Sequence, residues 1–221
     1  MSNTLFRQNV IKSISFDEGE ILRNIHELYC PNWFELDPCF SIGSFYEKNG
    51  IKSPTHKFDI EPQAKGVIQA SAEKLPIASG SIQSIMFDPP FLATSGPVYE
   101  ESRKGIGESN IITGRFSAFQ SREKLWEWYK ECLIEFKRVL KNDGVLVFKC
   151  QDAVSSAKNY FSHCFIMNKA VEAGFYPKDM FILLAKNRII GGNHAIQQHA
   201  RKFHCYYWVF INADCKVNYR L

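Results

Sequence analysis

The chain has no long apolar run. Nothing in its 221 residues approaches the roughly 20 consecutive apolar positions of a membrane-spanning helix. The opening "MSNTLFRQNVIKS" is too polar for a secretory signal, so a cytoplasmic protein is expected. C-x-x-C is absent as well. Cys30, Cys39, Cys132, Cys150, Cys164, Cys205 and Cys215 are odd in number and scattered, which excludes the paired ligands of zinc ribbons and fingers. They read as small core residues. His194, His199 and His204 recur every five residues and share neither a helix face nor a strand face, so no metal site is expected. There are no internal repeats and no low-complexity tract. Acidic residues are missing between Asp179 and Asp214, where Lys186, Arg188, Arg201 and Lys202 fall. Within a net charge of only +4, that local basic region suits phosphates or is a solvated surface of chance composition.

What is present is an α/β pattern. Ile21, Leu22, Ile25 and Leu28 set a short amphipathic helix over 17–29. Short strands are expected in "NWFELDPC", "KFDIEP", "GVIQAS" and "IQSIMFD". Residues 121–141 make the clearest helix, with Leu125, Trp128, Tyr129, Cys132, Leu133, Phe136 and Leu140 on one side and Ser121 as half a capping box. "NDG" ends it and leads into "VLVFKC", an apolar strand of the kind covered on both faces. A helix over about 158–173 and the strands "MFILLAK" and "FHCYYWVFIN" complete the chain. Alternation of strand and helix through the first five strands predicts an open, mostly parallel sheet with helices on both faces. A single domain of 1–221 is expected, carrying a long loop over 92–120 that fits no periodic pattern and reads as a lid.

The residues that bear chemistry fall at strand ends, where open α/β sheets bind ligands. Asp37 closes the first strand and leads into "DPCFSIGSF", where Gly43 permits a tight turn. Asp59 closes the second strand, where a carboxylate can accept bonds from both hydroxyls of a ribose, or is simply a surface carboxylate or cap. "ASAEKLP" follows the third strand and Asp88 closes the fourth. Two prolines after Asp88 stiffen the backbone and end the ladder. Alone, "DPPF" is either a rigid turn or the floor of an active site.

"LDPCFSIGS" resembles the D-P-x-x-G-S-G-[TS] turn of S-adenosylmethionine-dependent nucleic-acid amino-methyltransferases, and "DPPF" resembles their [DNS]-P-P-[YFW] motif. "ASAEKLPIASGSIQSIMFDPPF" is similar to the stretch that ends in DPPY in that family. The likeness spans roughly residues 20–212, with Ser41 in place of a glycine and Ser71 where an aspartate often stands. It implies a single class I, Rossmann-like methyltransferase domain: a mostly parallel seven-stranded sheet with helices on both faces and an antiparallel last strand. It implies S-adenosyl-L-methionine as cofactor, held by Asp37, Pro38, Gly43, Asp59 and Glu73, and catalysis by Asp88, Pro89, Pro90 and Phe91. Nucleic acid is the implied partner, DNA ahead of RNA, touched by Arg115, Lys149, Gln197, His199 and Arg201. No separate recognition domain is expected apart from the 92–120 loop, which suits a low-specificity DNA enzyme or one that works with a partner subunit; a homodimer is the other expected assembly.

The chemistry explains the motif. The lone pair of a base's exocyclic amine is delocalised into the ring. Two acceptors, the Asp88 carboxylate and the Pro89 carbonyl, would turn that nitrogen tetrahedral and aim the lone pair, with Phe91 stacked on the base. An aspartate in the motif leans toward N6 of adenine over N4 of cytosine. An RNA enzyme acting on adenine N6 or guanine N2 has overlapping motifs. A non-catalytic nucleic-acid-binding subunit would keep the fold; the intact DPPF argues against it and Ser41 in the turn argues weakly for it. Pro38-Cys39 follows the first strand, so the Pro-Cys nucleophile of cytosine-C5 methylation is not expected.

Overall fold

The computed structural model describes residues 10–91, 93, 119, 121–155, 158–186 and 199–213. Its main sheet has eight strands: β1 (Ile14–Ser15), β2 (Leu36–Asp37), β3 (His56–Asp59), β4 (Ile68–Gln69), β5 (Ile82–Phe87), β6 (Leu140–Cys150), β9 (Tyr176–Leu184) and β10 (His204–Ile211), in the spatial order β1-β9-β10-β6-β5-β2-β3-β4. β7 (Ala153–Ser155) and β8 (Lys158–Tyr160) form a separate antiparallel hairpin. β10 runs antiparallel between β6 and β9, and the other pairings in the sheet are parallel. The expected seven-stranded sheet with its antiparallel last strand is therefore present, with β1 added at one edge.

Helix α1 (Glu18–Tyr29) precedes β2, α2 (Ser44–Lys48) lies between β2 and β3, α3 (Arg122–Val139) between β5 and β6, and α4 (Ser162–Glu172) between β8 and β9. The Asp17 side chain caps α1 by accepting from the Gly19 and Glu20 amides, and Ser121 caps α3 by accepting from the Lys124 amide. Two sequence expectations need correction. Residues 158–160 belong to the β7–β8 hairpin, because Ala153 pairs with Tyr160 before the chain can coil, so α4 starts only at Ser162. Helices do not alternate with strands throughout: among the described residues only turns join β3, β4 and β5. The lid reading falls on 92–120, of which only Ala93 and Phe119 are described, joined by a bridge.

Strand alternation divides the core between the two faces of the sheet. Ile85, Phe87, Leu146 and Phe148 face a cluster shared with Leu125, Phe136 and Ile166 of α3 and α4. Met86, Val145 and Val147 face the opposite cluster, built on Ile21, Leu22 and Ile25 of α1 and Tyr46 of α2. Burying side chains of this size contributes about 1.5–3 kcal/mol each. The same alternation carries into the site. β5 and β6 run in register, Met86 beside Val147 and Phe87 beside Phe148. The next pair, Asp88 and Lys149, therefore points to the α1 face at the carboxyl edge.

Candidate active site

The turn after β2 is built from its own polar groups. Asp37 is 3% exposed, and its two oxygens accept from the Cys39 amide (2.8 Å) and the Tyr46 hydroxyl (2.6 Å). Burial pushes its carboxyl up to about 7, against those two bonds. Asp37 thus shapes the turn from beneath. Gly43 closes it at φ 76°, and a Cβ there would lie 2.6 Å from the Phe40 ring. No side chain fits without moving that ring, which stacks on Tyr46. Pro38 lies within the same turn.

Asp59, at the end of β3, accepts from the Ser41 amide (2.8 Å) through Oδ2 and from the Glu61 amide (2.9 Å) through Oδ1. Each oxygen keeps a further lone pair, and the residue is only half-buried. A tight left-handed turn facing a carboxylate with spare acceptor capacity fits the ribose and methionine ends of S-adenosyl-L-methionine. Ser41, which replaces a glycine of the resembled motif, takes φ 53° and still donates its amide to Asp59. Glu73 sits farther along the same edge. Its Oε2 accepts from the Ser71 hydroxyl and the Trp128 indole (2.6 Å).

The catalytic-type motif follows β5 and is clamped from α3. The Tyr129 hydroxyl donates to the Pro90 carbonyl at 2.6 Å, and Arg122 donates to the Phe91 carbonyl. Among the described residues the Pro89 carbonyl has no such partner. Arg122 is buried, with its guanidinium over the Tyr160 ring of the β7–β8 hairpin. The backbone is therefore pinned at two successive carbonyls, those of Pro90 and Phe91. Tyr129→Phe removes one pin from a site 1% exposed and is expected to cost about 1 kcal/mol of stability. Chemical denaturation reads that loss, and an unchanged midpoint would mean that the bond contributes nothing.

Asp88 is half-buried and faces a lysine. Lys149 Nζ lies 3.1 Å from Asp88 Oδ2 and 2.8 Å from Glu18 Oε1. Glu18 also accepts from the Tyr207 hydroxyl (2.6 Å) and the Asn49 amide (3.0 Å). Rings of Phe45, Phe91 and Tyr207 surround the ammonium at 5.1, 5.8 and 5.6 Å from their centroids. Burial disfavours charge on Lys149, yet Asp88 and Glu18 hold its ammonium above the ordinary lysine range. Burial works equally against the Glu18 carboxylate, which Lys149, Tyr207 and Asn49 hold down at about 2. For Asp88 burial wins, pushing its carboxyl up against the pull of Lys149.

The residues expected to touch nucleic acid separate. Lys149 lies at the end of its strand with its charge met by two carboxylates. His199 Nδ1 is 3.2 Å from the Asn159 amide nitrogen of β8, and Arg201 is exposed. Lys202 lies over the exposed Phe161 ring at 5.6 Å. Arg115 and Gln197 fall outside the described residues. Sequence reasoning missed Glu18, Arg122 and Tyr207 as site groups and took Tyr129 for a packing residue. Lys149 and Tyr207 stand directly opposite each other on β6 and β10, a pairing visible only once the register is known.

A family model described as DNA methylase, for N6 and N4 amino-methylation, matches residues 82–212, more than half of the chain. Comparison with the curated proteins found no match. Among solved structures, the chain is similar to a Thermus thermophilus protein provisionally named a DNA modification methylase, in complex with S-adenosyl-L-methionine. The identity is 16% over 66% of this chain and 52% of that one, at a TM-score of 0.41. The cytosine-N4-specific PvuII DNA methyltransferase is 12% identical over 63% of this chain and 45% of its own, with a TM-score of 0.43. TrmN from Thermus thermophilus is 13% identical over 87% of this chain and 48% of its own, with a TM-score of 0.48. These are likenesses of chain path and nothing more, and the chain spans about half the length of those proteins. On the family match, the chain belongs to the N6/N4 DNA methylase family, whose cofactor is S-adenosyl-L-methionine.

Proposed function

We propose that the protein transfers a methyl group to an exocyclic amine of a nucleic-acid base, with N6 of adenine in DNA as its substrate. The observation that carries this reading is the clamped Asp88-Pro89-Pro90-Phe91 segment, whose Pro90 and Phe91 carbonyls are held by Tyr129 and Arg122. The clamp leaves Asp88 and the Pro89 carbonyl as the acceptors for the two amine protons. Because both are fixed before substrate arrives, no reorganisation is needed when charge develops on the nitrogen.

S-Adenosyl-L-methionine supplies a methyl already activated on a sulfonium, so the protein has no covalent intermediate to form. Asp59 and the turn at Gly43 would hold the adenosine and methionine ends, and Phe91 would stack on the extruded base. The strand carrying that base would cross the β7–β8 hairpin and the segment before β10, where Lys158 and Arg201 are exposed and Lys202 caps Phe161. The aspartate of the motif favours adenine over cytosine.

Labelled methyl transfer to double-stranded DNA, single-stranded DNA and RNA tests the substrate class. Incorporation into DNA exceeding that into RNA is expected. Incorporation confined to RNA would replace this reading with RNA methylation, and binding of nucleic acid without cofactor affinity would replace it with a non-catalytic subunit.

A further inference from the structure

We propose that Lys149 is a positioning residue for the reaction: seated between Glu18 and Asp88, its ammonium keeps the Asp88 carboxylate ionised and turned as an acceptor for the target amine. This inference rests on the function proposed above and adds to it a residue outside the D-P-P-F segment.

An ionised carboxylate accepts from an amine proton more strongly than the neutral acid, which keeps one acceptor oxygen and carries a donor on the other. Burial drives Asp88 toward that neutral form. The groups that share its electrostatic surroundings come from several neighbouring elements. Glu18 comes from α1, Asp37 from the end of β2, Cys39 from the turn after it, Tyr46 from α2, Tyr207 from β10 and Lys149 from β6. Each of these except Lys149 is neutral or negative, so among them Lys149 is the cation that opposes protonation. Its place is fixed on three sides. The ladder sets it beside Asp88 and opposite Tyr207, the aromatic rings close around its ammonium, and Glu18 holds it from α1.

Glu18 has two opposing consequences. It anchors the ammonium at 2.8 Å, and its own negative charge also pushes Asp88 toward protonation. A second carboxylate also gives Lys149 somewhere to remain when the target amine takes up a share of Asp88. Removing Lys149 and removing the Glu18 charge should therefore move Asp88 in opposite directions. A role confined to packing would give no such opposition.

The test is the pH profile of methyl transfer in Lys149→Met, Lys149→Arg and Glu18→Gln, each first checked for folding by circular dichroism. The carboxylate is the stronger acceptor, so activity rises with pH through the Asp88 titration. In Lys149→Met that acid limb is expected to move upward by about one pH unit or more. Lys149→Arg should bring it back toward the parent, and Glu18→Gln should move it downward. A second readout needs no turnover: selective 13C labelling of aspartate carboxyls, with the Asp88 signal assigned through Asp88→Asn, follows the same titration directly. Lower activity in Lys149→Met with an unmoved limb and an unmoved Asp88 signal would overturn the inference. If the parent protein transfers no methyl group at all, the proposed function fails, and the carboxyl titration still decides the role of Lys149.

Discussion

Asp88→Ala is expected to lower methyl transfer by about 10²–10³-fold, the scale for losing one preorganised polar group in a site of this kind. Cofactor binding should survive it. Asp88 stands at the end of β5, whereas the turn proposed to hold the cofactor is shaped by Asp37, Asp59 and Tyr46 through bonds that do not involve it. Calorimetry with S-adenosyl-L-methionine and single-turnover methyl transfer would separate the two effects. Phe91→Ala should also reduce transfer strongly, by losing the stacking face, while Asp88→Asn retains an acceptor oxygen and falls between. If Asp88→Ala turned over at near the parent rate, the carboxylate would have no part in holding the amine.

The second large effect concerns the cofactor turn. Gly43→Ala places a Cβ 2.6 Å from the Phe40 ring at a φ of 76°, so both the backbone and the ring must give. Strain of this type costs on the order of 1–3 kcal/mol. The ring cannot retreat freely, because Phe40 is buried and stacked on Tyr46, whose hydroxyl holds Asp37. We expect S-adenosyl-L-methionine affinity to fall by about tenfold or more. Gly66→Ala is the control: its φ of 82° is equally unfavourable, but a Cβ there meets nothing within 4 Å. That variant should lose stability without losing cofactor. Equal loss of cofactor affinity in both variants would show that the turn at Gly43 has no special task.

The sequence made the frame legible because its signals were local. The 3.6-residue spacing over 121–141 marked α3, whose bounds are Arg122–Val139. The stops at Pro38, Pro62 and Pro89 marked where β2, β3 and β5 end, and the chemistry gathers at those ends. The short pieces escaped. β1 and the β7–β8 hairpin have two or three residues per strand, too few for any period to show. Residues 158–161 read as helix only because nothing local opposed it, and the pairing of Ala153 with Tyr160 decided otherwise.

The candidate site divides along the same line. Asp37, Gly43, Asp59 and Asp88 could be named because each closes a strand or begins a turn. Glu18 and Tyr207 could not, since 189 positions separate the two ends of their hydrogen bond. Lys149 was singled out as a residue that lines the cleft and touches nucleic acid or else closes the ladder, because its strand position was visible and its partners were not. Register supplied them: one step beyond the Phe87–Phe148 pair, it sets Lys149 beside Asp88. Arg122 likewise read as an ordinary first-turn residue of α3, whereas it is buried and holds the Phe91 carbonyl.

The central claim is that the segment beyond β5 presents one exocyclic amine to an activated methyl group. Its most direct test is incubation of the protein with methyl-labelled S-adenosyl-L-methionine and DNA, followed by digestion to nucleosides and mass spectrometry. The account predicts label in N6-methyladenine, lost in Asp88→Ala. Label in a ring-carbon product such as 5-methylcytosine, or label in N6-methyladenine that persists undiminished in Asp88→Ala, would contradict it.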